Sequence, residues 1–171
     1  SALITQGAAS APTTISATTG DGQATITFSG AAANGSTITG YTVKAYDNTG
    51  NEVTGVSCSV TTSNANGSCI VTGLTNGSSY TFKAITNSTA NSASVTSSPS
   101  IPTAAITPAK APDAPTGLQV TPGTGKVTVT WTEPSSNGSV ITSYTVQAYD
   151  AAGNAVSGAT CTATAPATTC D

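Results

Sequence analysis

The sequence predicts an all-β chain of tandem antiparallel sandwiches, one complete and one truncated on its C-terminal side. Three observations carry that prediction: a domain-sized internal repeat, apolar residues alternating with a period of two, and turn sequences punctuating the alternating runs. Residues 12–58 align without a gap on residues 115–161, at an offset of 103 and with about half the positions identical. Asn34-Gly35-Ser36 and Tyr41-Thr42-Val43 return as Asn137-Gly138-Ser139 and Tyr144-Thr145-Val146. A repeat of that length is a whole domain, not the short unit of a solenoid.

Each copy reads as strands in order. Gln23-Ala24-Thr25-Ile26-Thr27-Phe28 and Lys126-Val127-Thr128-Val129-Thr130-Trp131 alternate apolar residues with threonine, as half-buried strands do. In the next run Tyr41, Val43 and Ala45 share one face, and Thr42, Lys44 and Tyr46 the other. Residues 79–85 form a later strand of the same kind. Asp21-Gly22, Asn34-Gly35, Asn48-Thr49-Gly50, Asn66-Gly67 and Asn76-Gly77 mark the turns. No stretch carries a sustained helical stripe. Short strands divided in this way indicate an antiparallel sandwich. Residues 99–115 hold five prolines and read as the linker between copies. The expected division is 1–10 as the tail strand and linker of a preceding domain, 11–107 as a complete domain, 108–114 as linker and 115–171 as a partial domain.

Composition narrows the function. Only 6% of the 171 residues are charged, against roughly a quarter in ordinary soluble proteins. There is no arginine, histidine or methionine, and the net charge is −3. Phosphate binding needs clustered lysine or arginine, so nucleic acid is excluded as a partner. No apolar run approaches the roughly 18 residues of a membrane span, so no membrane insertion is expected. The start, Ser1-Ala2-Leu3, lacks an initiator methionine and a signal pattern, which reads as a mature or excised form.

The cysteines fall as two close pairs, Cys58 with Cys69 and Cys161 with Cys170. Neither spacing is that of a metal knuckle, and no histidine is present to complete a zinc site. Two local disulfides are expected, each worth roughly 3 kcal/mol on the chain-entropy account, with buried free thiols as the alternative. Disulfides imply an oxidising compartment.

These residues resemble the fibronectin type III domain in its bacterial form. The likeness lies in Ala11-Pro12 and Ala114-Pro115, in the strands ending at Phe28 and Trp131, and in Tyr41-Thr42-Val43 with its repeat. Its most specific part is Gly73-Leu74-Thr75-Asn76-Gly77-Ser78-Ser79-Tyr80-Thr81-Phe82, similar to the family's tyrosine corner, with Leu74 and Tyr80 pinning the crossing between sheets. The resemblance implies an immunoglobulin-like sandwich. Phe28 departs from it, since the family usually has tryptophan there. The loop at residues 87–92 carries no Arg-Gly-Asp, which removes the basis for integrin-type recognition.

The second copy has no counterpart of residues 71–98, whereas residues 2–12 resemble residues 104–115. A sandwich without its last strands exposes strand edges and half a core. The expectation is a longer tandem array, with an alternative in which residues 2–10, Leu3 and Ile4 among them, add a strand to a neighbouring copy.

Catalysis finds no support in the residues. Without histidine, a nucleophile lacks a ready base, and none of the acid pairs among the seven carboxylates recurs in both copies. Asp47 and Asp150 precede hairpin turns, where aspartate bonds its own backbone. The group Asp47, Asn48, Asn51 and Glu52 offers oxygens for calcium but lacks the alternating spacing of a dedicated loop, so a plain turn is favoured. No metal or cofactor is expected. Tyr46 and Tyr149 lie opposite the core face and are candidates for stacking on sugars or on a neighbouring domain, against the ordinary role of covering their own sheet. Five Asn-x-Ser/Thr sequons occur, at Asn34, Asn66, Asn76, Asn87 and Asn137. The expected function is a non-enzymatic spacer, stalk or filament subunit, extracellular or on a prokaryotic cell surface. Its partners would be neighbouring copies, adjoining domains or cell-surface polysaccharide. Accessory domains of a secreted polysaccharide-degrading enzyme and the stalk of an adhesin are the rivals.

Overall fold

The computed structural model describes residues 7–171, which divide into two compact units parted between Lys110 and Ala111. Among the described residues both units are built from strands without helices.

The first unit contains β1 (Thr14–Gly20), β2 (Gln23–Ser29), β3 (Thr37–Tyr46), β4 (Glu52–Thr61), β5 (Gly67–Thr72), β6 (Thr81–Ala90) and β7 (Ala93–Thr96). They form a three-stranded sheet, β1-β2-β5, and a four-stranded sheet, β4-β3-β6-β7, with every pairing antiparallel. The period-two pattern explains the layering. In β2, Ala24, Ile26 and Phe28 are buried while the residues between them are exposed. Tyr41, Val43 and Ala45 of β3 are fully buried, as are Phe82 and Ala84 of β6. Together with Val71 these inward faces make one continuous core. Each large apolar side chain buried there contributes about 1.5–3 kcal/mol. The β6–β7 hairpin turns on Asn91 and Ser92, both at positive φ (50° and 64°), the twist that a two-residue loop requires.

The disulfide Cys58–Cys69 joins β4 to β5, and therefore one sheet to the other. The pairing agrees with the sequence reading. Its placement across the sandwich is what the structure adds.

Residues 97–106 fall within the expected domain 11–107 and, from Pro99 on, also within the proline-rich stretch read as linker. They run along β6 beyond β7 and belong to the first unit. Ser97, Ser100 and Thr103 donate their backbone N–H groups to the carbonyls of Thr86, Ala84 and Phe82, at 3.0, 2.8 and 2.9 Å. In return the N–H groups of Thr86, Ala84 and Phe82 donate to the Ser97, Ser100 and Thr103 hydroxyls, at 2.9, 3.0 and 3.1 Å. The ladder ends in a reciprocal backbone pair between Tyr80 and Ile106. Three residues of this segment thus advance beside two of β6. Pro99 and Pro102 occupy positions that need no N–H, so proline does not interrupt the pairing.

The second unit contains β8 (Thr116–Gly123), β9 (Lys126–Thr132), β10 (Ser143–Tyr149), β11 (Ala155–Thr164) and β12 (Thr169–Cys170), in sheets β12-β9-β8 and β10-β11. Its registers repeat those of the first. Tyr41↔Val60, Val43↔Cys58 and Tyr46↔Glu52 return as Tyr144↔Ala163, Val146↔Cys161 and Tyr149↔Ala155, with the same irregularity before the last pair. Cys161–Cys170 joins β11 to β12, again one sheet to the other. The core differs in extent. Trp131, Tyr144 and Ala163 are its buried apolar residues, with Val129, Ile141 and Val146 partly buried against them. Val127 is 46% exposed where its counterpart Ala24 is 0%.

Candidate functional site

Each residue singled out from the sequence has a defined place, except Leu3 and Ile4, which lie outside the described residues. The Tyr80 hydroxyl accepts the Thr75 N–H at 3.1 Å. Leu74 is buried and donates its own N–H to the Gly22 carbonyl at 2.9 Å. Asn76 secures the same corner. Its side-chain oxygen accepts the Gly22 N–H, and its amide donates to Asp21, at 2.8 and 2.7 Å. This ties the β5–β6 crossing to the β1–β2 turn.

The two aspartate turns are internally satisfied. Asp47 Oδ1 accepts from the Thr49 hydroxyl and from the N–H groups of Thr49 and Asn51, at 2.7, 2.9 and 2.9 Å. Those bonds, the Thr49 hydroxyl foremost, hold its carboxyl below the usual aspartate range. Asp150 is lowered similarly, led by the Asn154 N–H at 2.8 Å. Among the described residues no group of three or more histidine, cysteine, aspartate or glutamate side chains is arranged to hold a metal.

Tyr46 and Tyr149 stand at equivalent positions in different settings. The Lys83 ammonium lies 4.4 Å from the centre of the Tyr46 ring, and Lys44 beside it pairs with Glu52 at 2.9 Å. Tyr149 is 64% exposed. Of the sequon asparagines, Asn34, Asn76, Asn87 and Asn137 each donate a side-chain hydrogen bond within the fold. Asn66 is exposed in the β4–β5 loop.

A feature not named from the sequence lies in the second unit. A groove of about 530 Å³ opens beside β10, lined by Leu118, Trp131, Val140, Ile141, Tyr144 and Val146 among others. The Trp131 Nε1 and the Tyr144 hydroxyl, both buried at this groove, have no hydrogen-bond partner. Leu118 is 55% exposed and Val140 86%. The period-two alternation placed Trp131, Tyr144 and Val146 on inward faces but gave no sign of a groove.

No helix among the described residues is long and apolar enough to cross a membrane. Comparison with solved structures finds the FN1–FN3 domains of chicken CNTN1, 23% identical with a TM-score of 0.47, the match covering 73% of this chain and 42% of that one. The twitchin kinase region from C. elegans is 19% identical with a TM-score of 0.46, covering 59% of this chain and 17% of the other. A myokine structure is 14% identical with a TM-score of 0.39, covering 58% of this chain and 97% of its own. The chain thus spans less than half the length of the first two. No curated protein matches it. The family model of the fibronectin type III domain matches residues 10–103, which hold the seven strands and the hydroxyl ladder of the first unit. The chain belongs to the fibronectin type III family.

Proposed function

We propose that this chain is a non-catalytic structural module of a secreted or cell-surface protein, serving as a spacer, stalk or filament subunit outside a prokaryotic cell. The observation that carries this reading is the cross-sheet disulfide, placed at the same register in both units. A bond at that position resists sliding of one sheet over the other, which suits a part that bears load. It also requires an oxidising compartment, in keeping with an extracellular site. The sparse charge and the hydroxyl-rich strands fit a surface made durable rather than reactive. The recurring registers support a tandem repetition of the module. Tyr149, with its exposed ring, favours one second reading, an accessory module that touches cell-surface polysaccharide.

Electron microscopy of the native material tests the first reading, with extended rods or ordered fibres expected. Compact particles that hydrolyse polysaccharide would sink it in favour of the accessory-module reading.

A further inference from the structure

We propose that Asn66 is an N-glycosylation acceptor, the one of the five sequons that the folded chain offers to an oligosaccharyltransferase, with a lipid-phosphate-linked oligosaccharide as the sugar donor.

Asn-Gly-Ser is a sequon and also a turn sequence, and the backbone separates the two roles. Asn34 and Asn137 stand at positive φ (48° and 50°), each followed by a glycine at 83°, the conformation for which tight turns select Asn-Gly. Asn87 lies inside β6, with strands paired on both sides. Asn66 has neither duty. It directly precedes β5, and neither it nor Gly67 is among the residues at positive φ. Packing accounts for Gly67, since a Cβ there would come within 3.1 Å of the Phe28 ring. Nothing in the backbone calls for asparagine at 66.

The side chains divide in the same way. Asn76 accepts from Gly22 and donates to Asp21, while Asn137 donates to the Ala111 carbonyl and to Asp113. Asn87 donates to the Thr42 hydroxyl. Asn34 is exposed but donates to the Ala8 carbonyl, and the serine of its sequon, Ser36, is buried with its hydroxyl given to Ala33. Asn66 and Ser68 are both exposed, and among the described residues neither side chain is engaged in a hydrogen bond.

Those differences bear on the reaction. The asparagine amide nitrogen attacks the anomeric carbon of the donor. A C–N bond forms, the C–O bond to phosphate breaks, the phosphate leaves with the bonding pair, and the amide gives one proton to the enzyme. A nitrogen held in the fold must first shed its hydrogen bonds, and a buried hydroxyl two residues on is hidden from the enzyme. Asn66 with Ser68 meets both requirements without local unfolding. A shallow groove of about 500 Å³ adjoins these two residues, lined also by Thr14, Ser16, Thr27 and Ser29, so a sugar there meets hydroxyls. Among the described residues β5 pairs with β2 alone, and its Ile70 is 52% exposed. A glycan at the head of β5 would shield that edge from other chains.

This inference rests on the secreted location in the proposed function. The test is peptide mapping by mass spectrometry of the protein isolated from its native source. Expected is a glycan mass on the peptide holding Asn66 and on none of the other four sequons. Asn66→Gln and Ser68→Ala should each lower occupancy at least about tenfold, and Ser68→Thr should retain it. Both residues are exposed, so the variants should keep the parent melting temperature. The inference is overturned by an unmodified Asn66 in the native protein, including one whose sugars sit on serine or threonine instead. A glycan on any of the other four asparagines, or one that survives Ser68→Ala, overturns it equally. Cell fractionation of the same material separates the two failures. An unmodified Asn66 in secreted protein sinks this inference alone, whereas protein confined to the cytoplasm sinks the secreted reading with it.

Discussion

Tyr41 and Tyr144 occupy the same register position, yet their hydroxyls meet different surroundings. Tyr41 donates to the Asn64 carbonyl at 2.8 Å. Tyr144 is buried without a partner. The cause is the length of the loop between the cysteines, whose separation is 11 in the first unit and 9 in the second. Two fewer residues remove the stretch that places Asn64 over the ring. Burial raises the pKa of both tyrosines, so both remain neutral across the physiological range. Tyr41→Phe should destabilise the first unit by about 1 kcal/mol, since it removes one satisfied hydrogen bond. Tyr144→Phe should leave the second unit equally stable or slightly more so. Thermal unfolding of the two variants checks this pair, and an equal loss from both would refute the account. The tyrosines themselves were legible as core residues from alternation alone. The fate of their hydroxyls was not, because it depends on a loop that carries no periodic signal.

At the scale of elements, β2 and β3 announce themselves by alternation. The strand expected at residues 79–85 is β6, Thr81–Ala90, which begins two residues later and runs five further because the buried Thr86 and Ser88 carry no apolar signal. The closing segment does not announce itself. Proline suppresses the strand signal, and a period of three in Ser97, Ser100 and Thr103 is invisible to a search for a period of two. Its pairing works because a hydroxyl takes over the acceptor role that a ladder carbonyl otherwise fills. Ser100 is the clearest case. It is 7% exposed, accepts from the Ala84 N–H, and donates its hydroxyl to the Ile101 carbonyl at 2.8 Å. Ser100→Ala leaves a buried N–H unpaired and should cost about 1–3 kcal/mol. Ser98→Ala, which removes a hydroxyl outside the ladder, serves as the control. Chemical denaturation of both variants decides the matter, and similar midpoints would mean that the hydroxyls are dispensable. The disulfides divide in the same way. Sequence proximity made the partners plain, whereas the bridging of two sheets depends on β4 and β5 lying in different layers.

For the whole molecule, the two units carry cores of unequal size. Among the described residues the first buries fourteen apolar side chains in one cluster and the second buries three. Apolar burial is the main favourable term in folding, so the second unit should be the weaker one. Trp131 reports on the second unit only, while far-ultraviolet circular dichroism sums over both. Heating should therefore produce a tryptophan transition at lower temperature than the main dichroism transition. Coincident transitions would show that the units unfold as one. The repeat and its offset made the kinship of the units readable from sequence. The difference in their stability is readable only once the exposure of Val127, Leu118 and Val140 is known.

The hydroxyl ladder also governs which changes of length the chain can absorb. Its contacts recur every third residue, so deletion of Ser100-Ile101-Pro102 as a block would still present Ser97 and Thr103 as successive rungs. Loss of a single residue would put a proline or an aliphatic side chain where a rung must stand. Gene copies that vary this segment should therefore differ by codons in multiples of three, a grammar written into the closing edge of the domain.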